Sequence, residues 1–355
     1  MIELSQNLLI KGQVRNSKYH QLMFTKLISG DNVFSELADE WDELAIRGMT
    51  DTPFQKLAYQ RSWWQNLHPE DGELSSVVVR SEDSSLSAIA CLTHTRDGIL
   101  RFNGCVEETD YLDLIVTARD ARESWEVILP CLLNAQFPEW RHLDLCNVPA
   151  ASPTRTVLPE IASQYGLTVV ESVIEVCPII ELPDSFEVYL ERLASKQRRE
   201  VRRKLRRANG AGAQLHIVDQ DEDLAAAVDD FLALLQKSTF EKRDWLNDGR
   251  RALFHEIAEA AQQKDALQLM FLEVDGQKAA TLFNFDYAGR IWVYNSGLDP
   301  NLFSALSPGV VITAWAIEHA INSGREEFDF LRGDEEYKYR FGAKDTDIFR
   351  LQIVR

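Results

Sequence analysis

The chain has 355 residues, too many for one ordinary core and about right for two domains of roughly 150 to 180 residues each. Its hydrophobic content of 45%, with 8 Trp and 17 Phe, is enough to build such cores and excludes a wholly disordered chain. The net charge of −18 argues against general binding to nucleic acid or to an anionic membrane, because phosphate groups would be repelled.

The first half predicts helices, then a meander of strands, then alternating helices and strands. Apolar residues recur at helical spacing from Phe34 to Ala45, and a second helix is predicted near 59–67. Short β-type runs separated by turn dipeptides predict an antiparallel meander with strands at 74–80, 86–95, 99–102 and 111–116. The following elements are a helix over 121–136, a strand over 142–146, a helix near 158–165 and a strand over 168–180.

The second half repeats this order of elements. Predicted helices lie near 186–208, 224–237 and 251–263, strands at 268–274, 277–286 and 290–297, a helix at 308–323, and strands at 327–330 and 348–354. Asp144 and Asp329 occupy equivalent places in strands that follow the long helix of each half. We interpret this as an internal duplication, with chance similarity of two buried strands as the alternative. The predicted division is a loose arm over 1–30, a first module over 31–181 and a second module over 182–355.

One segment departs from the acidic average. Residues 192–207 hold nine Lys and Arg against one Glu, and their apolar positions fall on one helical stripe. An unusually basic solvent-exposed face is one interpretation. Capture of an anionic partner is the other, because like charges at helical spacing repel by roughly a few tenths of a kcal/mol per pair. Arg199 and Arg203 are the candidate anion-binding residues.

The sequence gives little indication of a metal site, a disulfide framework or a membrane-spanning segment. The five cysteines are scattered without a CxxC pair, and the seven histidines show no metal-ligand spacing, so we expect buried thiols and no metal site. No apolar run approaches the roughly 18–20 residues that cross a bilayer, and the first residues lack a signal-peptide pattern. We therefore expect a cytoplasmic protein.

The most specific pattern lies in the second half. Leu306-Ser307-Pro308-Gly309 opens a helix, and the segment Phe328 to Lys338, FDFLRGDEEYK, follows Gly324. Together with the basic helix from Lys196 to Arg207, this pattern resembles the CelD/BcsL-like acetyltransferases, a GNAT-fold family associated with bacterial polysaccharide production. The resemblance implies a mixed-sheet α/β fold of two tandem GNAT-like modules. It also implies an acyl-CoA cosubstrate, with acetyl-CoA expected.

One feature departs from the family pattern. A typical GNAT carries (Arg/Gln)-x-x-Gly-x-(Gly/Ala) where this helix begins, to cradle the pyrophosphate of coenzyme A, but Ser304 to Val310 holds one glycine. An N-cap serine, a proline in the first turn and a glycine would still present free N–H groups to an anion. A well-capped structural helix is the alternative. The candidate cofactor-binding residues are Ser307, Gly309 and Val310, with Tyr294, Asn295 and Ser296 on the preceding strand.

The segment 333–338 supplies the candidate catalytic residues. Acyl transfer to an amine needs a base for the ammonium proton and an acid for the leaving thiolate. Glu335 is the candidate base, Tyr337 the candidate proton donor, and Lys338 a candidate partner of an oxyanion or a phosphate. A solvated acidic turn is the alternative. Three further candidates are Asp329, which faces a site or a structural salt bridge, and the substrate contacts Arg332 and Asp334.

The sequence thus predicts an N-acyltransferase that moves an acyl group to an amine on a sugar or a related small acceptor. The second module would be catalytic and the first a degenerate partner. Two alternatives remain open. One is a Fem-like aminoacyl transferase, whose basic helix would meet tRNA phosphates, and the other is a non-catalytic GNAT-derived scaffold.

Overall fold

A computed structural model describes residues 8–10, 22–105 and 108–355, which form two compact units. Their strands are β1 Leu8–Ile10, β2 Met23–Ser29, β3 Glu73–Ser81, β4 Leu86–Ala90, β5 Leu92–His94, β6 Ile99–Phe102, β7 Ile115–Val116, β8 His142–Pro149, β9 Val169–Glu181, β10 Gln214–Ile217, β11 Leu267–Val274, β12 Gln277–Tyr287, β13 Arg290–Leu298, β14 Glu327–Asp329 and β15 Lys344–Val354. The helices are α1 Asn32–Glu36, α2 Trp41–Ile46, α3 Leu57–Leu67, α4 Ala121–Leu133, α5 Thr154–Gln164, α6 Phe186–Arg192, α7 Ser195–Gly210, α8 Leu224–Ser238, α9 Phe240–Trp245, α10 Asp248–Gln262, α11 Pro308–Asn322 and α12 Glu336–Arg340.

The first unit contains the described residues up to Glu175, together with Asp347–Arg355. Its strands are ordered β1-β2-β3-β5-β6-β8-β15, and β4 pairs with both β3 and β7. Buried apolar residues of α4 and α5 cover one face of this sheet, and those of α1 and α2 cover the other. The strands β6 and β8 are parallel, so the chain between them, including α4, is a crossover connection.

The last strand differs from the predicted division at residue 182. Residues of β15 from Ile348 to Val354 pair antiparallel with β8, which places the C-terminal residues in the first unit. The buried carboxylate of Asp144 on β8 accepts hydrogen bonds from Arg350 on β15 and from Arg101 on β6. A pairing between strands some 200 residues apart in sequence leaves no local signal, so the sequence could not place it.

The predicted N-terminal arm is partly a strand. Residues 1–7 and 11–21 lie outside the described residues. Met23–Ser29 form β2, which pairs antiparallel with β3 along its whole length. Its alternating buried and half-buried residues explain the strand, because a period of two places one side chain in two on the core.

The second unit, Val176–Thr346, has the strand order β9-β14-β13-β12-β11-β10. Neighbouring strands are antiparallel except β13 and β14, which are parallel and joined through α11. The helices α6, α7 and α11 pack on one face, and the aromatic rings of α8 and α10 meet Phe283 on the other. The same parallel pair with a crossover helix, β6–α4–β8, occurs in the first unit. The mixed α/β fold with two related units is therefore confirmed.

Several predicted elements are shorter or divided. The helix predicted over 186–208 is two helices, because Leu193 and Ala194 have extended ψ angles of 148° and 139°. The strand predicted over 111–116 is reduced to β7. Within this stretch Asp113 turns its carboxylate to the amide of Leu114 and to Thr154, which replaces ladder hydrogen bonds with side-chain contacts. The strand β10 and the helix α9 were not predicted.

The cysteines differ in part from the expected five thiols. Cys105 and Cys146 are joined by a disulfide, while Cys91, Cys131 and Cys177 are buried thiols. The two bonded residues lie after β6 and within β8, which are neighbours in the sheet. Their proximity is thus a product of tertiary structure. Of the helices that the structure describes, none combines the length and the apolar character needed to cross a bilayer.

Candidate active site

The strands β13 and β14 diverge and leave a gap. Their parallel pairing ends at Trp292, opposite Asp329, whereas β13 continues to Leu298. After β14 the chain follows β9 instead, since the amide of Phe330 donates to the carbonyl oxygen of Pro178 at 3.0 Å. A gap between two strands beside a crossover helix is a common place for a ligand in α/β folds.

A β-bulge re-aims the side chains of β13 at this gap. Asn284 is opposite Val293, but its neighbour Phe283 is opposite Asn295, so Tyr294 is the extra residue. The ring of Tyr294 packs against the rings of Phe283 and of Phe254 on α10, and it does not line the cleft described next. Tyr294 therefore supports the strand from behind, which corrects its predicted place among the cofactor-binding residues.

A cleft of about 540 Å³ opens at the gap. It is lined mostly by apolar groups, including Phe328, Phe330 and the residues 307–310 at the start of α11. Lys242, Ser296 and Tyr337 bring polar atoms to it. This volume lies in the range of about 300–1,000 Å³ that is typical of small-molecule sites.

The start of α11 faces the cleft but offers few free amides. Ser307 is the N-cap in the left-handed region, with φ 57°, and its side chain makes no capping hydrogen bond, unlike the predicted N-cap serine. Its own carbonyl oxygen accepts from the amide of Val310 at 3.0 Å, and Pro308 has no N–H to give. Among the backbone amides of residues 308–310, only that of Gly309 has no hydrogen-bond acceptor in the described part of the chain.

Gly309 has a packing role as well. A Cβ atom at this position would lie 3.2 Å from the Cδ2 atom of Leu298, so glycine lets the start of α11 approach the end of β13 closely. The residues Ser307, Gly309 and Val310 line the cleft, and they form a sparser cradle than a glycine-rich loop. Their role in binding a cofactor stays a prediction.

Lys338 is a buried structural cation. It is 2% exposed, and its Nζ atom donates to the carbonyl oxygens of Leu331, Arg332 and Gly333 at 3.1, 2.8 and 3.0 Å. It also pairs with the Oε2 atom of Glu335 at 2.9 Å. An ammonium has three donor hydrogens, all of which are used here. The predicted role of Lys338 as a partner of an oxyanion or a phosphate is therefore replaced by one in holding the turn 331–335.

Asp329 faces away from the cleft. Its neighbours Phe328 and Phe330 line the cleft, and successive side chains of a strand point to opposite faces. Asp329 is 1% exposed, and its Oδ1 atom accepts from the amide of Leu331 at 2.7 Å, which stabilises the left-handed φ of 58° at Leu331. This placement contradicts a catalytic role and makes Asp329 a structural carboxylate.

Glu335 and Tyr337 lie at the mouth of the cleft. The carboxylate of Glu335 is more than half exposed and folds over Gly333, where a Cβ atom would come within 2.5 Å of Oε2. The ring of Tyr337 lines the cleft and meets Phe330 edge to face, with centroids 5.9 Å apart. Burial, and then the charge of Glu335, raise the pKa of Tyr337 above its ordinary value, so the phenol keeps its proton.

The other residues of this turn lie outside the cleft lining. Asp334 is exposed, and Arg332 is half-buried with its carbonyl oxygen held by Lys338. Neither reaches the cleft, so the structure does not bring them together with the predicted cofactor-binding residues.

The structure adds Lys242, which sequence reasoning missed. This residue of α9 donates from Nζ to the side-chain oxygen of Asn295 at 3.0 Å and to the carbonyl oxygen of Ser296 at 2.6 Å. Burial lowers the pKa of Lys242 to about 8, although the charge of Glu335 opposes this effect. No local signal in the sequence pointed to Lys242, because it lies in an ordinary polar segment, residues 239–245.

The basic helix α7 is partly neutralised. Arg202 pairs with Glu187, and Arg203 pairs with Glu200 at 2.7 Å. In the part of the chain that the structure describes, five basic residues of α7 have no ion pair, namely Lys196, Arg198, Arg199, Arg206 and Arg207. The helix packs on α11 and on the turn Ser304–Leu306, which borders the cleft. Of the two predicted anion-binding residues, Arg199 is thus unpaired and Arg203 is already paired.

The comparisons with known proteins agree with this geometry. Residues 195–339, less than half of the chain, match the family model of an acetyltransferase (GNAT) domain. This segment contains α11, β14 and the turn 331–335, and it is a GNAT-type acyltransferase domain. No curated protein sequence matches the chain.

Solved structures share the fold over most of the chain. FemX has a TM-score of 0.62 at 12% identity, covering 88% of this chain and 94% of FemX. A conserved protein of unknown function from Bacteroides thetaiotaomicron has a TM-score of 0.55 at 12% identity, with 90% and 97% covered. L-PGS from Bacillus licheniformis has a TM-score of 0.51 at 9% identity, with 79% and 83% covered. At these identities the likeness shows the fold alone.

The class of protein follows from the family match. The chain is an N-acyltransferase with a GNAT-type domain over residues 195–339, and such domains in general take their acyl group from an acyl-CoA. The narrower resemblance to CelD/BcsL-like acetyltransferases stays a prediction. Among the described residues, no group of three or more His, Cys, Asp and Glu side chains is placed to hold a metal ion.

Proposed function

We propose that the second unit transfers an acetyl group from acetyl-CoA to an amine on a sugar or a related small acceptor. The observation that carries this proposal is the gap between β13 and β14, which opens into an apolar cleft beside the start of α11. The resemblance of the segments 306–309 and 328–338 to polysaccharide-associated acetyltransferases supports a sugar amine as the acceptor. The reaction would take place in the cytoplasm, where acyl-CoA thioesters are available.

The cleft suits the two ends of coenzyme A differently. Its apolar walls, including Phe328 and Phe330, fit the pantetheine arm and a short acyl group. The amide of Gly309 alone is too little for a pyrophosphate, so the phosphate groups need further donors. The unpaired basic residues of α7, which packs on α11 and on the turn beside the cleft, are placed to supply positive charge.

Glu335 and Tyr337, at the mouth of the cleft, would accept and donate the two protons that move during acyl transfer. Glu335, exposed to solvent, would take a proton from the acceptor ammonium, directly or through water. The amine nitrogen would then bond to the thioester carbonyl carbon, and the carbon–sulfur bond would break. Tyr337, whose pKa is raised, would give its proton to the leaving thiolate.

A second candidate is a Fem-like transferase that takes its acyl group from an aminoacyl-tRNA. Two observations favour keeping it. The fold is similar to that of FemX over 88% of this chain, and α7 carries five basic residues that are not ion-paired with described residues. In this alternative the basic helix would bind acceptor-stem phosphates rather than coenzyme A.

Ligand-dependent unfolding separates these candidates. At a hundredfold excess over the dissociation constant, coenzyme A should stabilise the protein by about 2–3 kcal/mol if the cleft binds it. Acetyl-CoA should then release thiol in the presence of amino sugars such as glucosamine. Stabilisation by aminoacyl-tRNA, with no shift from any acyl-CoA, would replace the proposal with the Fem-like candidate. No shift from either ligand would indicate a non-catalytic scaffold.

A further inference from the structure

Lys242 is a half-buried ammonium without a counterion among the described residues. It lines the cleft, and no carboxylate oxygen of the described residues lies within 4 Å of its Nζ atom. Its two hydrogen-bond partners, the side chain of Asn295 and the carbonyl of Ser296, are neutral oxygens. Burying a charge is costly unless a partner of opposite charge compensates it.

Lys338, a structural lysine whose charge acts on Lys242, has a different set of hydrogen-bond partners. The Nζ atom of Lys338 has three carbonyl oxygens and the carboxylate of Glu335 around it, which use all its hydrogens. Lys242 uses two of its three hydrogens, so one remains for a ligand. A cation held in place by two fixed oxygens and left with one free hydrogen is arranged to bind an anionic group.

The position of Lys242 places that group near the reacting atoms. The partners Asn295 and Ser296 directly follow the bulge at Tyr294, in the stretch between Trp292 and Leu298 where β13 no longer pairs with β14. The start of α11, where coenzyme A phosphates would lie, approaches the far end of β13 at Leu298. The charges of Glu335 and Lys338, in the turn that follows β14, act on Lys242. Lys242 therefore lies within electrostatic reach of Glu335, the candidate base at the mouth of the cleft.

We propose that Lys242 binds a carboxylate of the substrate within the cleft. This inference rests on the proposed acyl transfer, and it narrows the substrate class. The enzyme would use either an acyl group that ends in a carboxylate or an amine acceptor that carries one. The two sources present the same chemistry to Lys242, and matched ligands distinguish them.

Binding of coenzyme A thioesters tests the donor as the source. Succinyl-CoA and butyryl-CoA have acyl chains of four carbons and differ by a carboxylate in place of a methyl group. Isothermal titration calorimetry should give at least tenfold tighter binding of succinyl-CoA, a preference that Lys242→Met abolishes and Lys242→Arg retains. Near pH 8, succinyl-CoA should also cause proton uptake by the wild type, because a bound carboxylate raises the pKa of Lys242.

Thiol release tests the acceptor as the source. With acetyl-CoA as donor, alanine should be at least tenfold more effective than isopropylamine, in which a methyl group replaces the carboxylate. Lys242→Met should remove this difference and Lys242→Arg should keep it. A Lys242-dependent preference in either arm supports the proposal, and its absence from both arms overturns it. Coenzyme A alone is the control, because its failure to bind would reject the acyl-CoA function itself and not only the role of Lys242.

Discussion

Gly297 on β13 lies directly against the backbone of Leu235 on α8. A Cβ atom at residue 297 would come within 2.5 Å of the Leu235 backbone nitrogen and 2.7 Å of the carbonyl carbon of Leu234. Backbone atoms cannot turn aside as a flexible side chain can. The close approach of α8 to the strand that borders the cleft therefore requires glycine.

We expect Gly297→Ala to destabilise the protein by about 2–3 kcal/mol, because overpacking forces backbone shifts. Urea unfolding followed by circular dichroism would measure the change. Gly210→Ala is the matched control, since a Cβ atom there meets no heavy atom within 4 Å and its φ is not in the left-handed region. Equal stability of the two variants would show that α8 is free to move away from β13.

Lys338→Met should destabilise the second unit by about 3 kcal/mol. The change leaves the carbonyl oxygens of Leu331, Arg332 and Gly333 without their shared donor, and each unsatisfied buried group costs about 1–3 kcal/mol. Lys344→Met, at an exposed position of the same unit, should change the free energy of unfolding by less than about 0.5 kcal/mol. If the Lys338→Met protein is as stable as the wild type but has lost turnover, Lys338 has a catalytic role and not a structural one.

Tyr337→Phe tests the proton donor. Loss of a general acid typically lowers turnover by a factor of about 100 or more, and the hydroxyl has no hydrogen-bond partner among the described residues whose loss would unfold the protein. The matched control is Tyr339→Phe, because the Tyr339 hydroxyl bonds to Asp345 and its ring does not line the cleft. Thiol release from acetyl-CoA would measure both, and equal rates for Tyr337→Phe and the wild type would reject the role.

The basic helix α7 gives a prediction about charge. Arg199→Gln with Arg206→Gln should weaken coenzyme A binding about tenfold and reduce its dependence on salt, since neither residue has an ion pair with a described residue. Arg202→Gln with Arg203→Gln removes the same charge from residues already paired with Glu187 and Glu200. This control should weaken binding less than threefold. Equal losses would indicate a long-range field and not a local site.

The lowered pKa of Lys242 predicts that the stability of the protein depends on pH. Its pKa falls from the ordinary 10.5 to about 8 on folding, so the folded state binds its proton less tightly than the unfolded state does. At pH 7 this difference lowers the free energy of unfolding by up to about 3 kcal/mol. The loss becomes smaller as the pH rises from 8 towards 10.5. The stability of Lys242→Met relative to the wild type should be about 2 kcal/mol more favourable at pH 7 than at pH 10, by urea unfolding. A pH-independent difference would contradict the shift.

Local patterns anticipated much of the second unit. The helix predicted over 308–323 is α11, Pro308–Asn322, and the strand predicted over 277–286 is β12, Gln277–Tyr287. Both follow from signals within a few residues, namely proline in the first helical turn and turn dipeptides between alternating strands. The proline and glycine that open this helix also made its start a candidate anion site, with a well-capped structural helix as the alternative.

The roles of individual side chains were harder to predict. Glu335, Tyr337 and Lys338 share one short segment, yet the structure places the first two at the cleft mouth and buries the third under its own turn. Asp329 alternates correctly with its aromatic neighbours, but which face of the strand borders the cleft depends on the packing of α11. Sequence alternation fixes which residues share a face without fixing which face is the functional one.

The sequence by itself determined most of the order of the elements, the crossover helix of each half and the acyltransferase class, because these depend on periodicity, turn residues and motif. Tertiary structure decided the composition of the site. It brings Lys242 to Asn295 across 53 residues of sequence, uses up every hydrogen of the Lys338 ammonium, and pairs β15 with β8. Such contacts depend on how distant segments pack, and no preference of a short stretch of chain specifies them.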